Sequence, residues 1–74
     1  MTLGDFIKEE GRTQKYVHSK LVERGINVNY CHFNRWCKDV HTPQHDIVYS
    51  QLAEILGAEY TEIKLMFNKN KLVQ

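Results

Sequence analysis

Residues that start and stop helices divide this chain into short segments. Three residues suited to cap a helix N-terminus each precede a stretch with helical apolar spacing: Thr2, Thr13 and Asn29. Three glycines stand where such stretches end, and a left-handed residue there closes a helix C-terminus: Gly11, Gly25 and Gly57. No segment of the sequence alternates convincingly between apolar and polar residues, as a half-buried strand would. The pattern predicts an all-α chain, a compact bundle of about five short helices.

The same residues predict the bounds of the helices. With their caps, the five segments cover about 2–10, 13–24, 29–38, 42–56 and a short stretch that starts at 61. In the fourth segment, Thr42 as N-cap with Pro43 at the first helical position is a strong start pattern. Thr61 with Glu62 starts the fifth helix.

Each segment carries one apolar stripe. Residues at i, i+3 and i+4 lie on one face of a helix, which then packs against a core. The expected buried residues, in chain order, are Leu3, Phe6, Ile7, Val17, Leu21, Phe33, Trp36, Cys37, Ile47, Val48, Leu52, Ile55, Leu56, Ile63 and Phe67. We therefore expect one small core to which all five helices contribute.

The chain of 74 residues predicts a single domain, with a core over about 2–68 and a polar tail, 69–74, that frays. No apolar run approaches the roughly 20 residues of a membrane helix, and the N-terminus lacks the pattern of a signal peptide. Cys31 and Cys37 fall in one predicted helix and lie about 240° apart around its axis, so they cannot bond to each other. We expect a reduced, cytoplasmic protein.

Positive charge is concentrated in the centre of the sequence. The whole chain has a net charge of only +1, whereas residues 12–41 hold six Lys and Arg residues against two acidic residues, a net charge of +4. The segments before and after this stretch are both net negative. A localised basic face on a near-neutral domain is typical of a protein that binds a polyanion, although an ordinary solvated surface is an alternative.

Metal and catalytic sites find little support in the sequence. Cys31, His32, Cys37, His41 and His45 lack the close ligand pairs of a zinc site, and a buried Cys37 acting as a small hydrophobic residue is the better interpretation. The sequence has no Gly-rich phosphate loop and no Ser or Cys beside a convincing His–carboxylate pair. We expect no bound metal, no cofactor, no enzyme activity and no small-molecule substrate.

Residues of helices 2 to 4 follow a known pattern. They are Thr13-Gln14-Lys15 with Val17 and Leu21, then Phe33 and Trp36, then Thr42-Pro43, and finally Leu52-Ala53 and Leu56-Gly57. Over about 3–67 the chain thereby resembles the Cro/phage-repressor type (lambda-repressor-like, XRE-like) of helix-turn-helix DNA-binding domain. The resemblance implies a lambda-repressor-like bundle in which helices 2 and 3 form the helix-turn-helix. Many unrelated regulators share this pattern.

The sequence departs from the family pattern at two places. His18 stands where the family has a small Ala, at a close approach of helices 2 and 3. The segment 22–27 is about five residues longer than usual between the anchors Leu21 and Phe33. We therefore expect a longer second helix, a connection that is not the standard three-residue turn, and an altered docking angle of helix 3.

The resemblance implies a role for residues of helices 2 and 3 in binding double-stranded DNA. Helix 3, about 29–38, would enter the major groove, with candidate base contacts from Asn29, Tyr30, Cys31, Asn34 and Arg35. Candidate phosphate contacts come from Thr13, Gln14, Lys15, Lys38, His41 and Thr42. The implied function is a sequence-specific transcriptional regulator, a small repressor of the phage or mobile-element type.

Three questions about partners stay open at the level of sequence. A homodimer would read a two-fold operator, with candidate interface residues Met66, Phe67, Leu72 and Val73, although core packing against helix 1 is the favoured interpretation for Phe67. A protein-binding module on the same fold, which grips a regulator or an enzyme, is the main alternative. The modest net charge and the long connection slightly favour it. An excisionase-like architectural factor is a further alternative, for which no wing or minor-groove wedge is found.

Overall fold

The computed structural model describes residues 1–68, in which five α-helices and no strands occur. The helices are α1 (Leu3–Glu9), α2 (Gln14–Glu23), α3 (Tyr30–Cys37), α4 (Asp46–Leu56) and α5 (Tyr60–Asn68). The predicted all-α fold with five short helices is confirmed. The predicted tail, with Leu72 and Val73, lies outside the described residues. Over residues 1–68 no helix is both long enough and apolar enough to cross a membrane.

The first three helices begin where the sequence predicts. The hydroxyl of Thr2 accepts from the N–H of Asp5, and the Asp5 carboxylate accepts from the N–H of Thr2, which completes a capping box. The side chains of Thr13 and Asn29 likewise accept from backbone N–H groups at the starts of α2 and α3. Gly25, with φ +90°, turns the chain out of α2 in a conformation that costs a side-chain-bearing residue free energy.

The predicted start of the fourth helix is wrong. α4 begins at Asp46 with His45 as N-cap, so Thr42 is not a cap and Pro43 is not the first helical residue. Pro43 is instead buried, and its carbonyl accepts a hydrogen bond from Tyr49 Oη at 2.5 Å. This bond anchors the segment that leads into α4, which the local cap pattern alone could not predict.

Two further predictions about the last helices need correction. Ile47 was expected in the core but is 54% exposed, and Tyr49 is buried in the face of α4 that packs inward. α5 begins one residue before Thr61, at Tyr60. The N–H of Glu59 donates to the Glu62 carboxylate at 3.4 Å, so Glu62 supports this helix start as the sequence suggested.

All five helices contribute to one core, as predicted. Its fully buried side chains are Leu3, Ile7, Val17, Leu21, Phe33, Cys37, Leu52 and Ile63. Phe67 is also buried, and its ring lies 5.6 Å from that of Tyr49 on α4. The side chain of Phe67 therefore offers no surface to a second copy of the chain. Met66 is half-buried, and the exposed large apolar residue of α5 is Leu65.

A close approach of α1 to the end of α3 depends on Gly4. A Cβ atom at this position would lie 3.0 Å from the carbonyl oxygen of Cys37 and 3.4 Å from Gln14 Nε2. Because the nearest of these atoms belongs to the backbone of a buried residue, it cannot move away easily. Gly4 thus sets how closely α1, α2 and α3 meet.

The first prediction concerns Gly4→Ala. Overpacking typically costs about 1–3 kcal/mol, and the higher helix propensity of Ala recovers at most about 1 kcal/mol. We expect a lower free energy of unfolding in urea, by about 1–2 kcal/mol. Ser19→Ala, at an exposed position of α2, is the control and should not lower stability. An unchanged stability of Gly4→Ala would contradict the close approach.

The second prediction concerns alkaline pH. Burial raises the pKa of the Cys37 thiol from 9.0 to about 12, so the folded chain keeps a proton that the unfolded chain loses above pH 9.0. The contribution of this thiol to the free energy of unfolding is fully present below that pH. It declines between pH 9.0 and about 12, by less than about 1.4 kcal/mol per pH unit. Urea unfolding at pH 8, 9 and 10 should show the decline in wild type and in Cys31→Ala. A decline that persists unchanged in Cys37→Ala would contradict this assignment.

Candidate nucleic-acid interface

His18 links α2 to the connection that precedes α3. Its Nε2 lies 2.6 Å from the carbonyl oxygen of Val28, and it donates a hydrogen bond there when that nitrogen carries the proton. The imidazole ring also packs against Tyr30, at 5.5 Å between centroids, and against Phe33, at 5.7 Å. The large residue at this position therefore binds the long connection directly, and the two departures from the family pattern form one structural feature.

The connection between α2 and α3 is ordered by its own backbone bonds. It spans residues 24–29, which confirms that it is longer than a three-residue turn. The N–H of Ile26 donates to the carbonyl of Leu21 at 2.9 Å, and the N–H of Val28 donates to the carbonyl of Ile26 at 3.1 Å. Ile26 and Val28 also pack against the core. The start of α3 is thereby held against the end of α2.

A second tie joins α3 to the N-terminus of α2. Asn34 Nδ2 donates to Gln14 Oε1 at 3.3 Å. Asn34 was predicted to contact bases and Gln14 to contact phosphate, and the structure brings the two side chains together. Asn34 is half-buried, so part of its hydrogen-bonding capacity is used to position α3 against α2. Asn29 is similarly occupied, since its Oδ1 caps α3 by accepting from the N–H of His32 at 2.7 Å.

The outward face of α3 carries the other predicted residues. At 100° per residue, Cys31, Arg35 and Lys38 lie opposite the buried side of the helix, and all three are exposed. Tyr30 flanks this face and is 41% exposed. One turn of the helix separates Arg35 from Cys31, so a ligand that contacts this face meets both side chains.

An open groove of about 540 Å³ adjoins this face where α1, α2 and the end of α3 meet. Its walls include three predicted phosphate contacts, Thr13, Gln14 and Lys38, together with Lys8 and Arg12. The hydroxyl of Thr13 accepts from the N–H of Tyr16 at 3.1 Å. The structure thus gathers part of the predicted phosphate set at the N-terminus of α2.

The remaining phosphate candidates are distributed differently. Lys15 is exposed and follows Gln14 directly on α2. His41 stacks on His32 at 5.7 Å between ring centroids, and neither ring lines the groove beside Lys38. Thr42 is half-buried in the segment that leads to α4. His41 and Thr42 are therefore not gathered into this groove.

The basic residues of the central segment do not all face one way. Arg24 Nη1 binds Glu54 Oε1 at 2.8 Å and Gln51 Oε1 at 2.9 Å, on α4. Lys20 pairs with Glu23 at 3.5 Å and lies over the ring of Tyr16. The ion pairs within residues 1–68 engage none of Lys15, Arg35 and Lys38. These three cations and Arg12, which lies 5.3 Å from the centroid of the Tyr16 ring, are the basic residues of the central segment that stay outside the ion pairs.

Several contacts that build this site were not predicted from the sequence. The bonds between His18 and Val28, Gln14 and Asn34, and Arg24 and Glu54 join residues 10 to 30 positions apart. Cap patterns and apolar spacing describe only local structure, so they carry no information on such pairs. The position of His18 beside the apolar stripe of α2 was the only indication of these contacts in the sequence.

Neither a metal site nor a similar protein identifies the function of this face. Within residues 1–68 no three or more His, Cys, Asp or Glu side chains are placed so that they could hold a metal ion. Comparison with known protein families, with curated proteins and with solved structures finds no match.

The third prediction concerns His18→Ala. The substitution leaves the Val28 carbonyl without its partner and removes a ring from between Tyr30 and Phe33, so we expect a loss of about 2–3 kcal/mol in the free energy of unfolding. Val22→Ala on the same helix removes a side chain that is 50% exposed and should cost much less. Equal losses in the two variants would contradict the linking role of His18.

Proposed function

We propose that this chain is a sequence-specific DNA-binding domain that inserts α3 into the major groove. The observation that carries the proposal is the outward face of α3, where Arg35 and Lys38 remain exposed. Lys38 borders the groove at the N-terminus of α2. Cations beside free backbone N–H groups suit a phosphate, while an exposed helix face beside them suits base edges.

The size of α3 is compatible with this role. An α-helix such as α3, with eight residues, is about 10–12 Å across when its side chains are included. The major groove of B-DNA is about 12 Å wide and admits an α-helix. The ties from His18 and Asn34 keep α3 in place relative to α2, so a duplex that contacts the N-terminus of α2 meets α3 in one orientation.

Residues of α2 and α3 would make different contacts with the duplex. Arg35 makes a bidentate contact to guanine O6 and N7, and Tyr30 contacts a thymine methyl group or a phosphate. Lys15, Lys38 and the N-terminus of α2 contact the phosphate backbone. The amide of Asn34, held by Gln14, adds a polar group at the junction of the two helices.

Placement of the chain with the Cro/phage-repressor type of domain is part of this proposal. It is supported by the five-helix order and by the capped starts of α2 and α3. A small repressor of the phage or mobile-element type, in the reducing cytoplasm that suits two free cysteines, is the role we propose. A second copy of the chain would let it read a two-fold operator.

The fourth prediction compares three substitutions in DNA binding, measured by fluorescence anisotropy. Arg35→Ala should reduce discrimination between a selected site and random duplex by about 1–3 kcal/mol. Lys15→Ala should weaken all sequences alike and reduce the dependence of log affinity on log salt by about one unit of slope. Lys20→Ala removes the same charge from the same helix, about 140° around the axis from Lys15, and should leave affinity within about twofold.

Two outcomes would contradict the proposal. One is an equal loss of DNA affinity in Lys15→Ala and Lys20→Ala. Such a result would indicate that DNA is attracted by the net charge of the domain and does not bind a defined face. The other is an Arg35→Ala variant that discriminates between sequences as well as wild type does.

A protein partner is the second candidate, and a specific observation favours it. Arg24 and Lys20 are engaged within the molecule, which leaves fewer cations for a polyanion than the sequence suggested. In this case the face of α3 would bind an acidic protein surface. Charge reversal by Arg35→Glu would then abolish capture of the protein partner, whereas DNA binding by wild type would be absent even at low salt.

A further inference from the structure

A groove of about 420 Å³ between α1 and α5 leaves apolar side chains in water. Leu65 and Met1 line this α1–α5 groove, and they are 57% and 56% exposed. Met66 and Phe6 complete its apolar wall. Covering apolar surface yields about 25 cal/mol per Å², so a chain segment that packs here is stabilised by the contact.

Two acidic residues border the apolar wall. Glu9 of α1 and Glu62 of α5 line the α1–α5 groove and are exposed, and the ion pairs within residues 1–68 include neither of them. Glu62 Oε1 accepts from the N–H of Glu59 at 3.4 Å, but an ionised carboxylate has further acceptor sites. No Lys, Arg or His of the described residues lines the groove. The groove therefore suits an occupant that carries both apolar and cationic side chains.

The same face of a second copy does not meet this requirement. In a two-fold dimer an identical patch from each copy meets the other, so the carboxylates of Glu9 and Glu62 would lie near their own counterparts. Like charges brought together in this way cost free energy. Charge complementarity thus argues against a symmetric dimer through the α1–α5 groove and for a basic occupant.

The segment that follows α5 has the required composition. It lies outside the described part of the chain, and its residues in order are Lys69, Asn70, Lys71, Leu72, Val73 and Gln74. Its two lysines match the carboxylates of the groove, and its two neighbouring apolar residues match the apolar wall.

The segment also starts close enough to reach the groove. α5 ends at Asn68, and Leu65 and Glu62 lie about 4.5 Å and 9 Å before that residue along the helix axis. Four residues of extended chain span up to about 13 Å. A segment that turns back after Asn68 therefore reaches both side chains, and Asn70 suits such a turn.

We propose that residues 69–74 turn back after α5 and bind in the α1–α5 groove of the same chain. Leu72 and Val73 cover Leu65, and Lys71 lies beside the carboxylates of the groove. Because the segment is joined directly to one wall of the groove, its effective concentration there is about millimolar or higher. Below that concentration of chains, the contact forms within one molecule in preference to between two.

This contact and the proposed DNA-binding face use different parts of the molecule. Every residue that lines the α1–α5 groove belongs to α1 or α5 or is Met1, whereas the proposed face is built by α2 and α3. The contact also gives Leu72 and Val73 a partner within the chain, in place of the homodimer interface expected from the sequence. Docking of the segment can therefore fail while DNA binding holds, and the reverse is also true.

Methyl NOEs in the full chain, labelled with ¹³C and ¹⁵N, test the docking directly. At about 0.1 mM, below the effective concentration of the segment, we expect NOEs between the methyl groups of Leu72 and Leu65. In a mixture of labelled and unlabelled chains, an isotope-filtered experiment should show no such NOE between molecules. Absence of the NOEs from the uniformly labelled sample, or their presence between molecules, would overturn the proposal.

Paired substitutions test the apolar part of the contact. Leu72→Asn removes a side chain that covers Leu65, so NOEs between Val73 and Leu65 should be lost and the Leu65 methyl resonances should shift. Val22→Asn replaces an apolar residue that is 50% exposed on α2, and this matched control should leave the Leu65 methyl resonances unchanged. The same Leu65 resonances in both variants would contradict the contact.

Charge reversal tests the cationic part. Lys71→Glu replaces attraction to the groove carboxylates by repulsion, so the ratio of docked to undocked segment, measured from the Leu65 methyl shift, should fall by about threefold or more. Lys15→Glu reverses an exposed charge on α2, outside the groove, and should leave the ratio unchanged. An unchanged ratio in Lys71→Glu, or an equal fall in both variants, would overturn the charge complementarity on which the proposal rests.

Discussion

The contact between His18 and the carbonyl of Val28, at 2.6 Å, determines where the third helix lies. The connection of six residues is ordered in part by its own backbone bonds, and holding such a loop in one conformation costs conformational entropy that further contacts must offset. The His18 ring contacts the carbonyl of Val28 near the end of this connection, and it packs on Tyr30 and Phe33. These contacts fix the start of α3. The bond from Asn34 to Gln14 then fixes the middle of α3 against the start of α2. These two ties hold α3 against α2, and the proposed DNA-binding face depends on both.

Local sequence patterns predict the helices well and the long-range contacts poorly. Caps such as Thr2, Thr13 and Asn29 act within three residues, so their effect can be predicted from the chain alone. The predicted start of α4 was wrong. Thr42-Pro43 is a strong local pattern, whereas the bond from Tyr49 to the Pro43 carbonyl forms only in the folded core. Within the site, helical spacing predicted that Arg35 and Lys38 point outward. It could not predict that Arg24 binds α4 or that Asn34 binds Gln14.

The distribution of charge illustrates the same limit. A net charge of +4 over residues 12–41 describes a stretch of sequence, whereas a ligand meets a surface. Folding directs Arg24 towards Glu54 and Lys20 towards Glu23 and Tyr16. Lys15, Arg35 and Lys38 remain outside these ion pairs. A near-neutral domain can still attract a polyanion through a few such cations, because interactions beyond about 10 Å are screened at moderate salt and the local charges dominate.

The central claim is that the outward face of α3 reads DNA sequence. Selection of bound duplexes from a random-sequence pool at low salt tests it most directly. We expect enrichment of a short motif that contains guanine, the base suited to a bidentate contact from Arg35, with half-sites about one helical turn apart if two copies bind together. A pool whose composition does not change over successive rounds of selection would contradict it.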